Sequence, residues 1–198
     1  ATYGKPSELI AYGGDHVKRE LTDDFIDSTL DKYGLKKGDY AITVCRIEPE
    51  NNSHIILEAF SKTDKTLVFI GNWNHSEYSR KLKENYSKYS NIKILDAIYN
   101  LDILYALRSN AGIYMHGHSA GGTNPSLVEA MFFGIPIIAC DVVYNRETTE
   151  NKAYYFKSTD DIISHINSTS LNGQDMVEIA SRRYTWKHIS DQYCKLYQ

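Results

Sequence analysis

Short apolar runs alternate with helical patterns along most of the chain. Phe25, Ile26, Leu30 and Tyr33 fall at helical spacing between about Thr22 and Tyr33, with Thr22 as a start signal and Gly34 as a stop. Tyr40–Val44 reads as a strand, and Ser53 caps a helix running through Phe60. Thr66–Ile70 is a strand ending at Gly71, followed by a charged helix from about Ser76 to Tyr89. Ile92–Leu95, Gly112–Met115 and Pro136–Cys140 read as further strands, separated by helices over Leu101–Arg108 and Pro125–Phe133. After Asp141 the pattern thins. Tyr154–Phe156 reads as an edge strand, and Asp160–Ile166, Asp175–Arg182 and Trp186–Tyr197 as closing helices.

The first five strand candidates are apolar on consecutive residues, as strands covered on both faces are. Alternating with helices, they predict an α/β fold: a Rossmann-like parallel sheet with helices on both faces. Ligands of such sheets bind beyond the carboxyl ends of the strands. That rule singles out Cys45–Asn52, Asp96–Asn100 and His116–Asn124. Residues 1–20, punctuated by Gly4, Pro6, Gly13 and Gly14, read as an interdomain lead-in, so the chain reads as a piece of something longer. Residues 21–183 form the Rossmann-like domain and 184–198 a C-terminal helix.

Composition narrows the class. Among 198 residues, 42% are hydrophobic and 24% charged, the balance of an ordinary globular domain. A net charge of -3 offers no electrostatic basis for nucleic acid as a partner. Cys45, Cys140 and Cys194 are odd in number and far apart, which reads as free thiols in a reducing compartment. No leader pattern and no apolar run of membrane-spanning length stand out, so the expected location is the cytoplasm.

The stretch Met115–Pro125, MHGHSAGGTNP, contains G-x-S-x-G at Gly117, Ser119 and Gly121. In an α/β-hydrolase this motif puts a nucleophilic serine on a strand-to-helix turn, with the helix starting directly after it. Here Ala120-Gly121-Gly122-Thr123-Asn124-Pro125 intervenes, and Pro125 suits the first helical position. The triad partners Asp160, Asp161, His165 and His188 fall in predicted helices rather than loops. His116 and His118 form an H-x-H pair that could supply two ligands of a metal site, but no spacing places a third, and no D-x-D follows a strand.

As a glycine loop entering a helix, the same stretch suits an anion. Gly121 and Gly122 let the backbone approach a ligand, and Asn124 and Pro125 fit the N-cap and first helical positions. Glu129 falls about one turn further on, within reach of a sugar hydroxyl, by the ~3.6 residues per turn of a helix. Arg46 follows the first strand at the same sheet edge, where a guanidinium neutralises a diphosphate. Its alternative role is a surface ion pair with Glu48 or Glu50.

CRIEPENNSHIILEAF (45–60), GGTNPSLVEAMFFGIPIIACD (121–141) and YNRETTENKAYYF (144–156) resemble the C-terminal half of retaining GT-B glycosyltransferases of family 4. The closing SRRYTWKHISDQYCKLY and the early AYGGDH (11–16) resemble that family's final helices and the segment after its interdomain linker. The resemblance implies a domain that binds a nucleotide-sugar donor without metal or other cofactor. It implies Arg46 on the diphosphate, Glu129 on ribose hydroxyls, Gly121, Gly122, Thr123 and Asn124 cradling diphosphate and sugar, and backbone at Ala97 and Ile98 holding the base.

Two positions depart from the family. Asn51 stands where it usually has a lysine, and Gly121 where it usually has a glutamate, so His118 or Asn124 is a candidate substitute beside the sugar. The PENN and HGHSAGGTNP forms resemble bacterial rhamnosyltransferase-type polysaccharide enzymes. That implies a hexosyl or deoxyhexosyl donor such as dTDP-rhamnose and a glycan or lipid-linked acceptor held by an N-terminal domain. It also implies peripheral association with the inner membrane face. A non-catalytic nucleotide-sugar module and a serine esterase using Ser119 stand as alternatives.

Overall fold

The computed structural model describes residues 8–197. Gly4 and Pro6 of the lead-in and the last residue of the C-terminal segment lie outside them. After a 3-10 turn at Asp15–Val17, the order is α1 (Asp23–Lys32), β1 (Tyr40–Val44), a 3-10 turn at Pro49–Asn51, α2 (Ser53–Ser61), β2 (Thr66–Ile70) and α3 (Glu77–Tyr86). Then come β3 (Ile92–Leu95), α4 (Leu101–Ser109), β4 (Ile113–His116), α5 (Pro125–Met131), β5 (Ile137–Cys140) and α6 (Val143–Thr148). The chain closes with β6 (Tyr154–Phe156), α7 (Thr159–Ile166), α8 (Gln174–Arg183) and α9 (Trp186–Lys195).

The strands form one six-stranded sheet in the order β3-β2-β1-β4-β5-β6, and every neighbouring pair is parallel. Ile42 of β1 aligns with Val68 of β2 on one side and Tyr114 of β4 on the other. On one face Leu30, Leu107, Leu127, Met131 and Ile179 bring α1, α4, α5 and α8 against the sheet. On the other, Ile56, Phe60, Leu82 and Ile162 bring α2, α3 and α7. Both faces are therefore dry, which is why β1 and β2 read as unbroken apolar runs.

Local chemistry sets several helix starts. Thr22 accepts from the Phe25 amide, and Ser76 and Ser79 form a reciprocal capping box. Four expectations need correction. Ser53 is not a cap: Asn52, left-handed at φ 48°, precedes α2, and Ser53 is its first residue, with a buried hydroxyl that has no hydrogen-bond partner among the described residues. The fourth strand runs one residue later than expected, to His116. Helices α3, α5 and α9 end at Tyr86, Met131 and Lys195, short of Tyr89, Phe133 and Tyr197. Helix α6 was not expected at all, because VYNRET is short and its buried residues, Asn145 and Thr148, are polar.

The lead-in segment packs on the domain. The Gly14 amide donates to the Tyr184 carbonyl at 2.8 Å, and the Trp186 amide donates to Asp15 at 2.8 Å. A Cβ on Gly14 would stand 2.8 Å from Val128, so this contact needs glycine. Among the described residues, no helix is long and apolar enough to cross a membrane.

Candidate functional site

Successive strands run outward from β1 to β3 in one direction and from β4 to β6 in the other. The loops after β1 and β4 therefore part company at the carboxyl edge and leave a crevice between them, the switch point where such folds bind ligands. The cleft there has a volume of about 330 Å³, and Arg46, Asn51, His116, His118 and Asn124 line it.

The two loops are joined by short hydrogen bonds. The Asn52 side chain donates through Nδ2 to the Gly117 carbonyl at 2.8 Å, and the Ser119 backbone amide and hydroxyl both donate to the Glu50 carbonyl at 2.8 Å. Any Cβ at Gly117 would overlap the Asn51 carbonyl oxygen, so only glycine permits this approach. From behind, Asn145 of α6 donates to the carbonyls of His118 and Cys140 at 2.9 Å. Helix α6, which the sequence pattern missed, thus anchors the loop after β4.

Within this frame Arg46 stands exposed. No ion pair joins it to Glu48 or Glu50 among the described residues, and Glu48 instead meets His75 at 2.9 Å. Asn51 lines the cleft, but its amide serves the protein: Nδ2 donates to the Arg46 carbonyl at 2.8 Å and Oδ1 lies 2.8 Å from His118 Nδ1. Asn124 caps α5, accepting from the amide of Ser126 at 3.0 Å and from its hydroxyl at 2.7 Å. Gly121 adopts φ +95°, a left-handed conformation suited to glycine, and Gly122 opens onto free space. Thr123 is half-buried beside them.

The histidines differ. Burial pushes His116 down to about 3, and its ring stacks on Tyr114 at 21°. Burial also lowers His118 below the usual imidazole range. The Ala120 carbonyl and the Glu50 charge oppose that shift, and the Arg46 charge reinforces it. The two rings lie 6.2 Å apart. Among the described residues, no three His, Cys, Asp or Glu side chains gather as a group that could hold a metal ion. Ser119 has no imidazole partner among the described residues: its hydroxyl is committed to Glu50, and the helix begins only at Pro125. The geometry of a nucleophile elbow is absent.

Glu129 is not in this cleft. It lines a smaller cavity of about 130 Å³ with His16, Arg19, Leu101 and Arg108. The nearly fully buried Arg108 donates to its Oε2 at 2.7 Å, and His16 Nε2 lies 3.5 Å from Oε1. The Arg108 guanidinium also lies over the Phe133 ring, 5.0 Å from its centroid. Reading the sequence missed both Arg108 and His16. Arg108 did carry a signal, since it continues the stripe of Leu101 and Leu104 on α4 at helical spacing. Ala97 and Ile98 are half-buried in the loop after β3, with Ile98 packed against the apolar layer of α4 and α5.

The model of a known family, glycosyl transferases group 1, matches residues 26–185. No curated protein matches the sequence. Among solved structures, HepE of Anabaena in complex with UDP superimposes with a TM-score of 0.78 at 16% identity, over 94% of this chain and 55% of that one. A glycosyltransferase of Rickettsia africae gives 0.78 at 15%, with the same coverage. Sucrose-phosphate synthase of Thermosynechococcus elongatus gives 0.77 at 17%, over 96% of this chain and 51% of that one. The chain thus spans about half the length of these proteins. HepE has also been solved with UDP-glucose. Family match and fold agree: the chain belongs to the group 1 glycosyl transferases and has the Rossmann-like architecture of the C-terminal half of a GT-B enzyme.

Proposed function

We propose that this chain is the donor-binding part of a retaining, metal-independent glycosyltransferase of the family 4 type, taking a nucleoside-diphosphate sugar. The observation that carries the reading is Arg46, an exposed cation with no ion pair among the described residues, in the switch-point cleft that Asn124 at the end of the glycine loop also lines. A diphosphate supplies the charge this site lacks, and Arg46 stabilises that charge as the sugar leaves. The loop from Gly121 to Asn124 lies against the diphosphate and sugar, with its amides available as donors. Ala97 and Ile98 hold the base. Glu129, oriented by Arg108, takes the ribose hydroxyls from the neighbouring cavity. Bound HepE and the family match support a nucleotide-sugar donor.

The transferred group is a hexosyl or deoxyhexosyl unit, with dTDP-rhamnose favoured by the PENN and HGHSAGGTNP forms. The acceptor is a glycan or lipid-linked glycan of a bacterial surface polysaccharide, bound by an N-terminal domain. The enzyme works in the cytoplasm, at the inner membrane face. Titration calorimetry with UDP and dTDP tests the reading: saturable binding is expected, weakened by Arg46→Ala and by Glu129→Ala. Its absence at ligand concentrations of about 1 mM, where binding would be worth only about 4 kcal/mol, overturns it.

One observation favours a second reading. Asn51, standing in place of the family's lysine, is built into the scaffold and adds no positive charge to the cleft. A module that binds nucleotide sugars without transferring them would fit that loss. Transfer by the chain joined to an acceptor-binding domain, assayed with a panel of donors, decides between the two.

A further inference from the structure

The hydrogen bonds around Asn51 determine the chemical state of His118. A backbone carbonyl only accepts, so the Asn51 atom facing the Arg46 carbonyl must be the amide nitrogen Nδ2. The oxygen Oδ1 therefore faces His118 Nδ1, and it too only accepts. The ring nitrogen must then carry the proton. In a neutral imidazole this leaves Nε2 as a bare lone pair. Burial and the Arg46 charge both disfavour protonation of the ring. The Ala120 carbonyl and the Glu50 charge favour it.

Nε2 faces the glycine loop. A Cβ on Gly121 would stand 3.8 Å from it, so glycine keeps a side chain of its own away from the lone pair. The cleft thus has two unlike poles. Arg46 offers donors and positive charge, suited to phosphate. His118 Nε2 offers an acceptor, which repels phosphate oxygens and needs a donor opposite it. In a nucleoside-diphosphate sugar the donors near the diphosphate are the hydroxyls of the sugar.

We propose that His118 Nε2 accepts a hydrogen bond from a hydroxyl of the transferred sugar, and that Asn51 is the positioning residue that holds the ring in the Nδ1–H tautomer for this purpose. The proposal rests on the nucleotide-sugar reading above. It makes His118 a specificity determinant, because a site built around a hydroxyl rejects the analogue that lacks it. It also assigns work to Asn51 and Gly121, the two departures from the family pattern. Asn51 orients the ring, and Gly121 leaves room beside it.

The tautomer is read by nitrogen-15 spectra of the histidine-labelled chain near neutral pH, with His118→Gln to assign the signal. Nδ1 protonated and Nε2 unprotonated is the expected result, and Asn51→Leu, which removes the acceptor facing Nδ1, is expected to release it. An Nε2–H tautomer in the wild-type chain overturns the proposal whatever the chain binds. Calorimetry with UDP and UDP-glucose, and with dTDP and dTDP-glucose, supplies the second arm. His118→Ala is expected to lower the ratio of nucleotide-sugar to nucleotide affinity by about tenfold, the worth of one well-placed hydrogen bond. An unchanged ratio with both ligands bound overturns this proposal alone, whereas failure of all four ligands to bind overturns the functional reading and this inference with it.

Discussion

Two arginines of the molecule have opposite fates. Arg108 is nearly fully buried, lies over Phe133 and donates to Glu129 at 2.7 Å. Arg46 is exposed, lines the switch-point cleft and has no carboxylate partner among the described residues. A cation taken out of water needs a partner, because desolvation costs more than packing returns. An exposed cation keeps its hydration and stays available. Arg108 therefore belongs to the packed architecture, whereas Arg46 stays available to a ligand of opposite charge.

The largest expected effect breaks the buried pair. Arg108→Met leaves the Glu129 carboxylate half-buried without its bonded guanidinium, and should cost about 3 kcal/mol in denaturant unfolding. Adding Glu129→Leu should recover much of that, since no charge is then stranded. If Arg108→Met leaves stability intact, the contrast between the arginines fails. Arg46→Ala should do the reverse. Stability should stay within about 0.5 kcal/mol, while affinity for UDP falls by about 2 kcal/mol, roughly thirtyfold, and loses salt sensitivity. The smallest effect concerns the floor of the same cleft. His116 is held near 3 in the folded protein against an ordinary 6.5, so between these values the unfolded chain binds a proton that the native state does not. Stability should therefore fall as pH drops below 6.5. Between pH 7.5 and 5.5 the wild-type chain should lose about 1.4 kcal/mol more than His116→Gln, measured from unfolding midpoints.

Strands were the most legible part of the fold. β1, β2 and β3 have the limits their apolar runs predict, because strands covered on both faces contrast sharply with the polar segments around them. Capping was legible where a side chain answers its own helix, as at Thr22 and Asn124. It misled at Ser53, where Asn52 takes a left-handed conformation and leaves the cap position without a side-chain bond. Helix α6 escaped because it buries asparagine and threonine, which carry no apolar signal. At the site, the glycine loop and the proximity of Arg46 to it followed from strand order. The division of the predicted residues between two cavities did not.

The sequence by itself determined the parallel sheet, the sheet edge where the cleft lies, and the failure of G-x-S-x-G as a nucleophile. Each depends on residues close together in the chain, where periodicity, glycine and proline act directly. Only the tertiary structure decided that Arg108 takes Glu129, 21 residues away, and that Asn51 takes His118, 67 residues away. Such bonds depend on which loops the sheet brings within about 3 Å, a distance no local pattern encodes. By the same means the fold left Arg46 without an ion pair among the described residues and turned His118 Nε2 toward Gly121.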